Sequence, residues 1–185
     1  MRLIQEKPLP VGCSTIGTWV PCKFEARLYL LQRCHPAFHN SGQQADDELS
    51  ASIVLIGALL AEGKQGEAKK EKEAARSLGN GTQNHFLRLQ FELVSGRVLL
   101  NSRQPEAAGP LLRSVSRDAQ RYGFTGLRFG IDLALAEFAN KTNRNPEAQI
   151  EFGALQKLAS SRGFGLIARK AIQESSLLAK QAGIA

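Results

Sequence analysis

The residue types best suited to hold a metal ion are concentrated near the start of the chain. Cysteine thiolates and histidine imidazoles are common zinc ligands, and five of them lie in one short segment: Cys13, Cys22, Cys34, His35 and His39. Structural zinc sites usually contain two cysteines separated by about two to four residues. No pair of these cysteines has that spacing. We therefore predict no metal or other cofactor, and the alternative is a metal-dependent switch in this segment.

Three arginines spaced four residues apart suit a different chemistry, the binding of phosphate groups. Arg113, Arg117 and Arg121 fall on one face of a predicted helix, and Arg128 follows nearby. The formal net charge of +7 also favours an anionic partner. However, no aromatic residues alternate with these arginines to stack on bases. We predict a solvated outer face and keep nucleic-acid association as the alternative.

The motifs of common catalytic sites are missing from the sequence. It has no G-x-x-x-x-G-K-S/T phosphate loop, no G-x-S-x-G nucleophile turn and no H-E-x-x-H metal motif. The stretch GKQGEAKK, at 63–70, contains glycine and lysine without the spacing of a phosphate loop. His85 stands alone at a predicted helix start, where we expect it to act as a cap. We therefore predict that the chain is not an enzyme.

No export signal or membrane span is evident in the sequence. The first four residues run directly into polar residues and provide no apolar signal core. The apolar stretch 53–60 is far shorter than the roughly 18 residues that a membrane helix needs, and it suits a buried helix segment. We predict a cytoplasmic chain whose cysteines are reduced.

Helix-forming residues dominate from Ala45 onward, and glycine and proline mark the breaks. We predict seven helices, roughly 45–62, 65–78, 83–102, 105–121, 125–141, 146–161 and 165–181. Pro110 would lie inside the fourth, so that helix should kink or begin late, near Gly109. Residues 1–44 show no sustained period. We interpret them as an irregular N-terminal segment, with a disordered segment and a partial repeat as the two alternatives.

Similar motifs recur along the helical part at intervals near 40 residues. GKQGEA, SRQPEA and NRNPEA end at Ala68, Ala107 and Ala148, which are 39 and 41 residues apart. LRLQFEL at 87–93 matches LRFGIDL at 127–133, and RYGFTGL at 121–127 is echoed by SRGFGL at 161–166. Self-similarity at this interval indicates a stacked array of helix pairs.

At these residues the chain resembles the tetratricopeptide repeat family. The shared features are a small residue after the turn, apolar residues before it and a large apolar residue four positions later, a position that Lys72 occupies in the first repeat. The resemblance covers about 45–185, as three repeats and a final helix. It implies an all-α fold, a short right-handed superhelical array of antiparallel helix pairs with a C-terminal capping helix. The long period and the ending RGFGLIARKA are similar to repeat regions of bacterial signalling proteins, including serine/threonine kinases and winged-helix regulators.

The resemblance also implies a function and a binding face. It implies a non-catalytic protein-interaction module, the repeat portion of a larger bacterial signalling or regulatory protein. In that family the first helices of the pairs line the inner face, which holds a protein or peptide partner. The side chains expected there are Glu92, Glu137, Asn140 and Lys141, beside Leu60, Leu99 and Leu100.

Overall fold

The computed structural model of the chain describes residues 42–102, 105–181 and 183. These ranges contain eight α-helices and no strand, so the prediction of an all-α chain is confirmed for the described residues. In chain order the helices are α1 (Gly42–Ala61), α2 (Gln65–Ala74), α3 (Arg76–Gly81), α4 (His85–Leu100), α5 (Ala108–Arg121), α6 (Thr125–Lys141), α7 (Asn145–Ser161) and α8 (Gly165–Gln181). The residues considered as candidate metal ligands lie outside the described residues: Cys13, Cys22, Cys34, His35 and His39.

One predicted helix needs correction, and the limit of another differs slightly. The described part of the first helix runs from Gly42, a few residues before its predicted start near Ala45, and the division of the chain after residue 44 stays a prediction. The predicted helix 65–78 is instead two helices, α2 and α3, which meet at Ala75. The limits of the other helices agree with the prediction to within a few residues, because glycine and proline end helices for local reasons.

Pro110 lies in the first turn of α5, as a late helix start requires. A 3₁₀ turn at Pro105–Ala107 precedes this helix, which begins at Ala108. The first backbone N–H groups of an α-helix have no partner within the helix. Pro110 therefore removes no hydrogen bond at its position, and the expected start near Gly109 is confirmed.

Four helix ends share one hydrogen-bonding pattern. After α1, α5, α6 and α7, a backbone amide donates to the carbonyl five residues earlier, as Phe124 N does to Ala119 O at 2.9 Å. The residue before that amide has a positive φ, which glycine adopts at little cost. These residues are Gly63 (74°), Gly123 (73°), Asn143 (61°) and Gly163 (80°). The next helix begins two residues later in every case, so the chain reverses within a short turn.

The helices pack in a regular order. Helix α1 packs against α2, α4 against α5, and α6 against α7. The first and last of these pairs are antiparallel, because a short turn joins their members. We call α1, α4, α6 and α8 the first helices, and α2, α5 and α7 the second helices. Successive first helices also contact one another. Each second helix contacts the following first helix as well, whereas second helices make no comparable contact among themselves.

Buried positions of the second helices recur every 40 residues. Ala68, Ala108 and Ala148 are fully buried, and Leu112 and Phe152 are buried one turn after the latter two. The motif alignment named Ala107 as the second alanine, but this residue is exposed. The extra turn before α5 shifts the helix by one residue, so Ala108 takes the buried position. The intervals are therefore 40 and 40, rather than the 39 and 41 expected from the motifs.

Lys72 occupies the position at which Leu112 and Phe152 are buried one and two intervals later. Its side chain is only 18% exposed, and its Nζ lies 2.7 Å from Glu73 Oε1. A lysine can bury its aliphatic stem while its charge reaches the surface. This position is therefore compatible with the packing of α2, although it lacks the apolar residue present in the later pairs.

Small and large residues alternate across the contact between neighbouring helices. Buried Gly79 lies against the ring of Phe91. At the corresponding positions 40 residues later, Ala119 takes the place of the glycine, and Ile131, which is smaller than phenylalanine, takes the place of Phe91. Both later residues are fully buried in one hydrophobic cluster. The larger ring on α4 thus requires the smaller residue on α3.

The substitution Gly79→Ala is expected to destabilise the fold even though alanine favours helices. An added Cβ would lie 2.6 Å from Cε1 and 3.0 Å from Cγ of Phe91, and such overpacking costs about 1–3 kcal/mol. Gly153→Ala is the matched control, since a Cβ there meets nothing within 4 Å. The control should be more stable by about 0.5–1 kcal/mol. Urea unfolding of both variants checks this, and shifts of the same sign would contradict it.

Candidate functional site

Polar side chains connect α4 and α6 at positions that are 40 residues apart. Lys141 Nζ donates a hydrogen bond to Asn101 Oδ1 at 2.8 Å. One turn earlier on each helix, Arg97 and Glu137 occupy corresponding positions, and their opposite charges attract. Arg97 Nη2 also donates to the carbonyl of Gly130 at 3.5 Å. The two first helices therefore share a row of polar contacts.

Helix α8 continues this row. Lys170 and Glu174 both act electrostatically on Glu137 of α6. Charges from three successive first helices thus surround one carboxylate. We call this surface the first-helix face and define it by six residues: Arg97, Asn101, Glu137, Lys141, Lys170 and Glu174.

Glu137 is held in an environment that disfavours its charge. Burial raises the pKa of its carboxyl above the ordinary value, and the attraction of Arg97 offsets only part of this effect. Glu174 raises the pKa further, whereas Lys170 and Lys141 lower it. Arg97 Nε is buried and donates to no acceptor among the described residues. The first-helix face therefore contains charged groups whose hydrogen-bonding capacity is not fully used.

Glu137→Gln is expected to stabilise the chain at neutral pH and to reduce its pH dependence. Because the pKa is raised in the folded chain, that chain retains the proton where the unfolded chain has lost it. Stability from this group is therefore present below the unfolded pKa of about 4.3 and is lost as pH rises through the folded pKa. A gain of 1 kcal/mol would raise the melting temperature by about 2–4 °C.

Melting curves between pH 5 and pH 7 would measure this effect. The control is Glu67→Gln, which removes an exposed carboxylate from α2 and should change stability by less than about 0.5 kcal/mol. If Glu137→Gln instead lowered the stability equally at pH 5 and pH 7, the attraction between Arg97 and the Glu137 carboxylate would outweigh the cost of burying that carboxylate.

The predicted partner-binding residues do not all belong to one surface. Glu137 and Lys141 lie together on the first-helix face, and Asn140 is half-buried next to Lys141 in the chain. Glu92 lies elsewhere, because Asp118 of α5 is close enough to raise the pKa of its carboxyl. The apolar residues expected beside them also differ. Leu60 and Leu99 are half-buried, whereas Leu100 is only 2% exposed and belongs to the core.

Glu92 forms an ion pair within its own helix, and a corresponding pair recurs in the next first helix. Arg88 Nε lies 3.9 Å from Glu92 Oε1, and 40 residues later Arg128 Nε lies 3.8 Å from Asp132 Oδ2. Burial raises the pKa of both carboxyls, and each neighbouring arginine opposes this. In the first pair, Ser52 occupies the position and donates to Glu71 of α2 at 2.8 Å. This position therefore forms polar contacts inside the fold, and in the first pair the contact joins α1 to α2.

Arg97 is the residue that the sequence reasoning missed on the first-helix face. Its position is 40 residues before Glu137, so the offset seen in the motifs LRLQFEL and LRFGIDL could have identified it. The same offset shows that Glu92 and Glu137 are not equivalent positions. Lys170 and Glu174 also lie near Glu137, and sequence alone does not show which residues of α8 meet α6.

The surface cavities formed by the described residues include the following three. One of about 650 Å³ is lined by Lys69 and Lys72 of α2 and by Leu99 and Asn101 near the end of α4. A second, of about 240 Å³, contains Asp132 and Glu151 among apolar residues of α6 and α7. Burial is the main cause of the raised pKa of both carboxyls. A third, of about 160 Å³, lies at the turn between α5 and α6.

All three arginines of the predicted ridge on α5 are exposed, namely Arg113, Arg117 and Arg121. The guanidinium of Arg113 also lies 6.0 Å from the ring centre of Phe138. His85 is not the cap of α4. Asn84 has that role, since its Oδ1 accepts a hydrogen bond from the backbone amide of Leu87 at 3.2 Å.

Two further observations bear on the class of site. In the part of the chain that the structure describes, no three His, Cys, Asp or Glu side chains are grouped so that they could hold a metal ion. None of its helices is long and apolar enough to cross a bilayer.

Comparisons with protein-family models, with curated proteins and with solved structures returned no match.

Proposed function

We propose that this chain is a non-catalytic protein-interaction module that binds a protein or peptide on its first-helix face. The helix pairs form a short right-handed superhelical array of the tetratricopeptide type, and α8 caps it. In this proposal the array is the repeat portion of a bacterial signalling or regulatory protein. The observation that carries the proposal is the row of charged side chains where successive first helices meet.

The order of helix contacts supports an array of this kind. Each first helix contacts the next, and each second helix contacts the first helices on both sides. A chain that continues to pack in this order extends in one direction, and neighbouring units supply most of its stability. The buried positions that recur at intervals of 40 residues support the same view.

The chemistry of the first-helix face suits a polar peptide. Arg97 and Lys141 supply donors, and Glu137 supplies an acceptor that burial has partly desolvated. A peptide that forms hydrogen bonds with buried charged groups gains more binding free energy than one that meets fully solvated charges. The reason is that folding has already removed water from the buried groups. We therefore expect a partner that presents both an acidic and a basic group.

The test is affinity capture from the source cell with the purified chain as bait, after nuclease treatment. Lys141→Glu reverses a charge on the first-helix face, and Lys157→Glu makes the same change at an exposed position on α7. We expect a partner that the original chain and Lys157→Glu retain, and that Lys141→Glu retains about tenfold less well. Circular dichroism would check that all three chains are folded.

Equal retention of the partner by both variants would remove the first-helix face as its binding site. A capture that yields only nucleic acid, and nothing after nuclease treatment, would contradict the proposal that the chain is a protein-interaction module.

A further inference from the structure

A ladder of aromatic rings joins the start of α4 to the turn between α5 and α6. The rings of His85 and Tyr122 stack with centres 4.6 Å apart and planes 17° from parallel. Phe124 lies 5.8 Å from Tyr122, and Phe86 meets Phe124 edge-on at 5.1 Å. Phe86 and Tyr122 nevertheless remain 41% and 38% exposed. The site therefore presents aromatic surface on rings that their neighbours hold in place.

Arginines adjoin this ladder. Arg121 directly precedes Tyr122 and is exposed. Arg128 and Arg162 line the 160 Å³ cavity together with Gln120 and Gly123, which flank Arg121 and Tyr122 in the chain. Arg121 and Arg162 make no ion pair with the described residues, and Arg128 contacts Asp132 only at 3.8 Å. Cationic groups thus lie around a small cavity next to the exposed rings.

We propose that this surface binds single-stranded nucleic acid. We call it the arginine–aromatic edge and define it by His85, Phe86, Arg121, Tyr122, Arg128 and Arg162. Exposed bases stack on aromatic side chains, and this interaction tolerates any base sequence. Guanidinium groups match the geometry of phosphate and bind it through paired hydrogen bonds. A single strand offers both groups at once, whereas a duplex hides the faces of its bases.

The charges beside the ladder set the direction of the strand. Thr82, three residues before His85, donates a hydrogen bond to Asp46 of α1 at 2.6 Å. Asp46 therefore places a carboxylate beside the segment that precedes α4. Arg128 and Arg162 instead line the cavity at the turn between α5 and α6. We expect the strand to extend from the ladder towards this cavity, because Asp46 repels phosphate near α1.

This inference goes beyond the proposed protein-binding function and is independent of it. None of the residues of the arginine–aromatic edge belongs to the first-helix face, so each surface can be altered alone. The two functions are compatible in one chain, since a protein partner on one surface leaves the other open.

The test measures the binding of short labelled oligodeoxythymidine to the full chain by fluorescence anisotropy at several salt concentrations. Tyr122→Ala removes a stacking surface and should weaken binding about tenfold, without changing the salt dependence. Tyr122→Phe keeps the ring and should bind like the original chain. The double variant Arg121→Gln, Arg162→Gln should lower the slope of log K against log salt by about 0.7 per arginine.

The matched control is the double variant Lys69→Gln, Lys70→Gln, which removes two exposed charges from α2. It should bind oligodeoxythymidine nearly as tightly as the original chain. Melting curves would show whether each variant is folded. Should Tyr122→Ala unfold, the exposed arginine pair still tests the proposal through the salt slope.

Several results would overturn the proposal. One is unchanged binding by folded Tyr122→Ala, and another is equal weakening by the lysine control, because both would indicate attraction to net charge alone. Equally tight binding of a duplex would remove the role of exposed bases. Equally tight binding of polyglutamate or of anionic lipid vesicles, with the same dependence on Arg121 and Arg162, would assign the edge to another class of partner.

Discussion

A chain that ends at Arg162 is expected to aggregate, because it lacks α8. This helix packs against α6 and α7, and its buried Ala171 and Leu178 share one hydrophobic cluster with Phe152 and Leu155. Removal of α8 would expose both of these large side chains. Each large aliphatic side chain buried in such a contact contributes roughly 1.5–3 kcal/mol. A few such losses equal a typical domain stability of roughly 5–15 kcal/mol.

Light scattering after size-exclusion chromatography would measure the effect of this truncation. A chain that ends at Gln181 is the matched control, since it keeps all of α8, and it should remain monomeric. Lys170→Ala should also have little effect on stability, because this residue is exposed. If the chain ending at Arg162 stayed monomeric with an unchanged melting temperature, α8 would not be a cap. The surface beneath it would then become a candidate for partner binding.

Phe152→Ala is expected to cause the largest loss of stability among single substitutions in α7. Phe152 is fully buried, and its cluster joins residues of α6, α7 and α8. Replacing a buried phenylalanine by alanine removes its transfer free energy and leaves a cavity, at a cost of about 3–5 kcal/mol. The melting temperature should therefore fall by roughly 6–20 °C.

Ile150→Ala provides the control on the same helix. Ile150 is 72% exposed, so its truncation should change stability by less than about 0.5 kcal/mol. Urea unfolding would compare the two variants, with circular dichroism as the signal. A similar loss at both positions would mean that Phe152 does not lie in the core that joins these three helices.

The sequence by itself determined the helical class and nearly all of the helix limits. Gly123 and Gly163 stand where the backbone takes a positive φ and the chain reverses, and Pro110 lies at a late helix start. Hydrogen bonds among residues a few positions apart decide these features. The interval of about 40 residues was visible for the same reason, since each unit repeats its own local signals.

The sequence also allowed part of the first-helix face to be predicted. Glu137 and Lys141 were identified, and Arg97 follows from the 40-residue interval. Glu92 was assigned to the same surface, although it instead lies close to Asp118 of α5. The motif match at Ala107 was one residue from the buried Ala108. One residue turns a helix by about 100°, so an error of this size changes which side chain meets a neighbour.

Only the tertiary structure brought together the residues of the arginine–aromatic edge. No aromatic residues alternate with the arginines of α5, so the sequence argued against the stacking of bases. In the folded chain, α4 brings His85 and Phe86 to Tyr122 and Phe124 at the end of α5. His85 and Tyr122 are 37 residues apart in the chain. Their contact depends on the packing and rotation of whole helices, which no local hydrogen bond or sequence spacing determines.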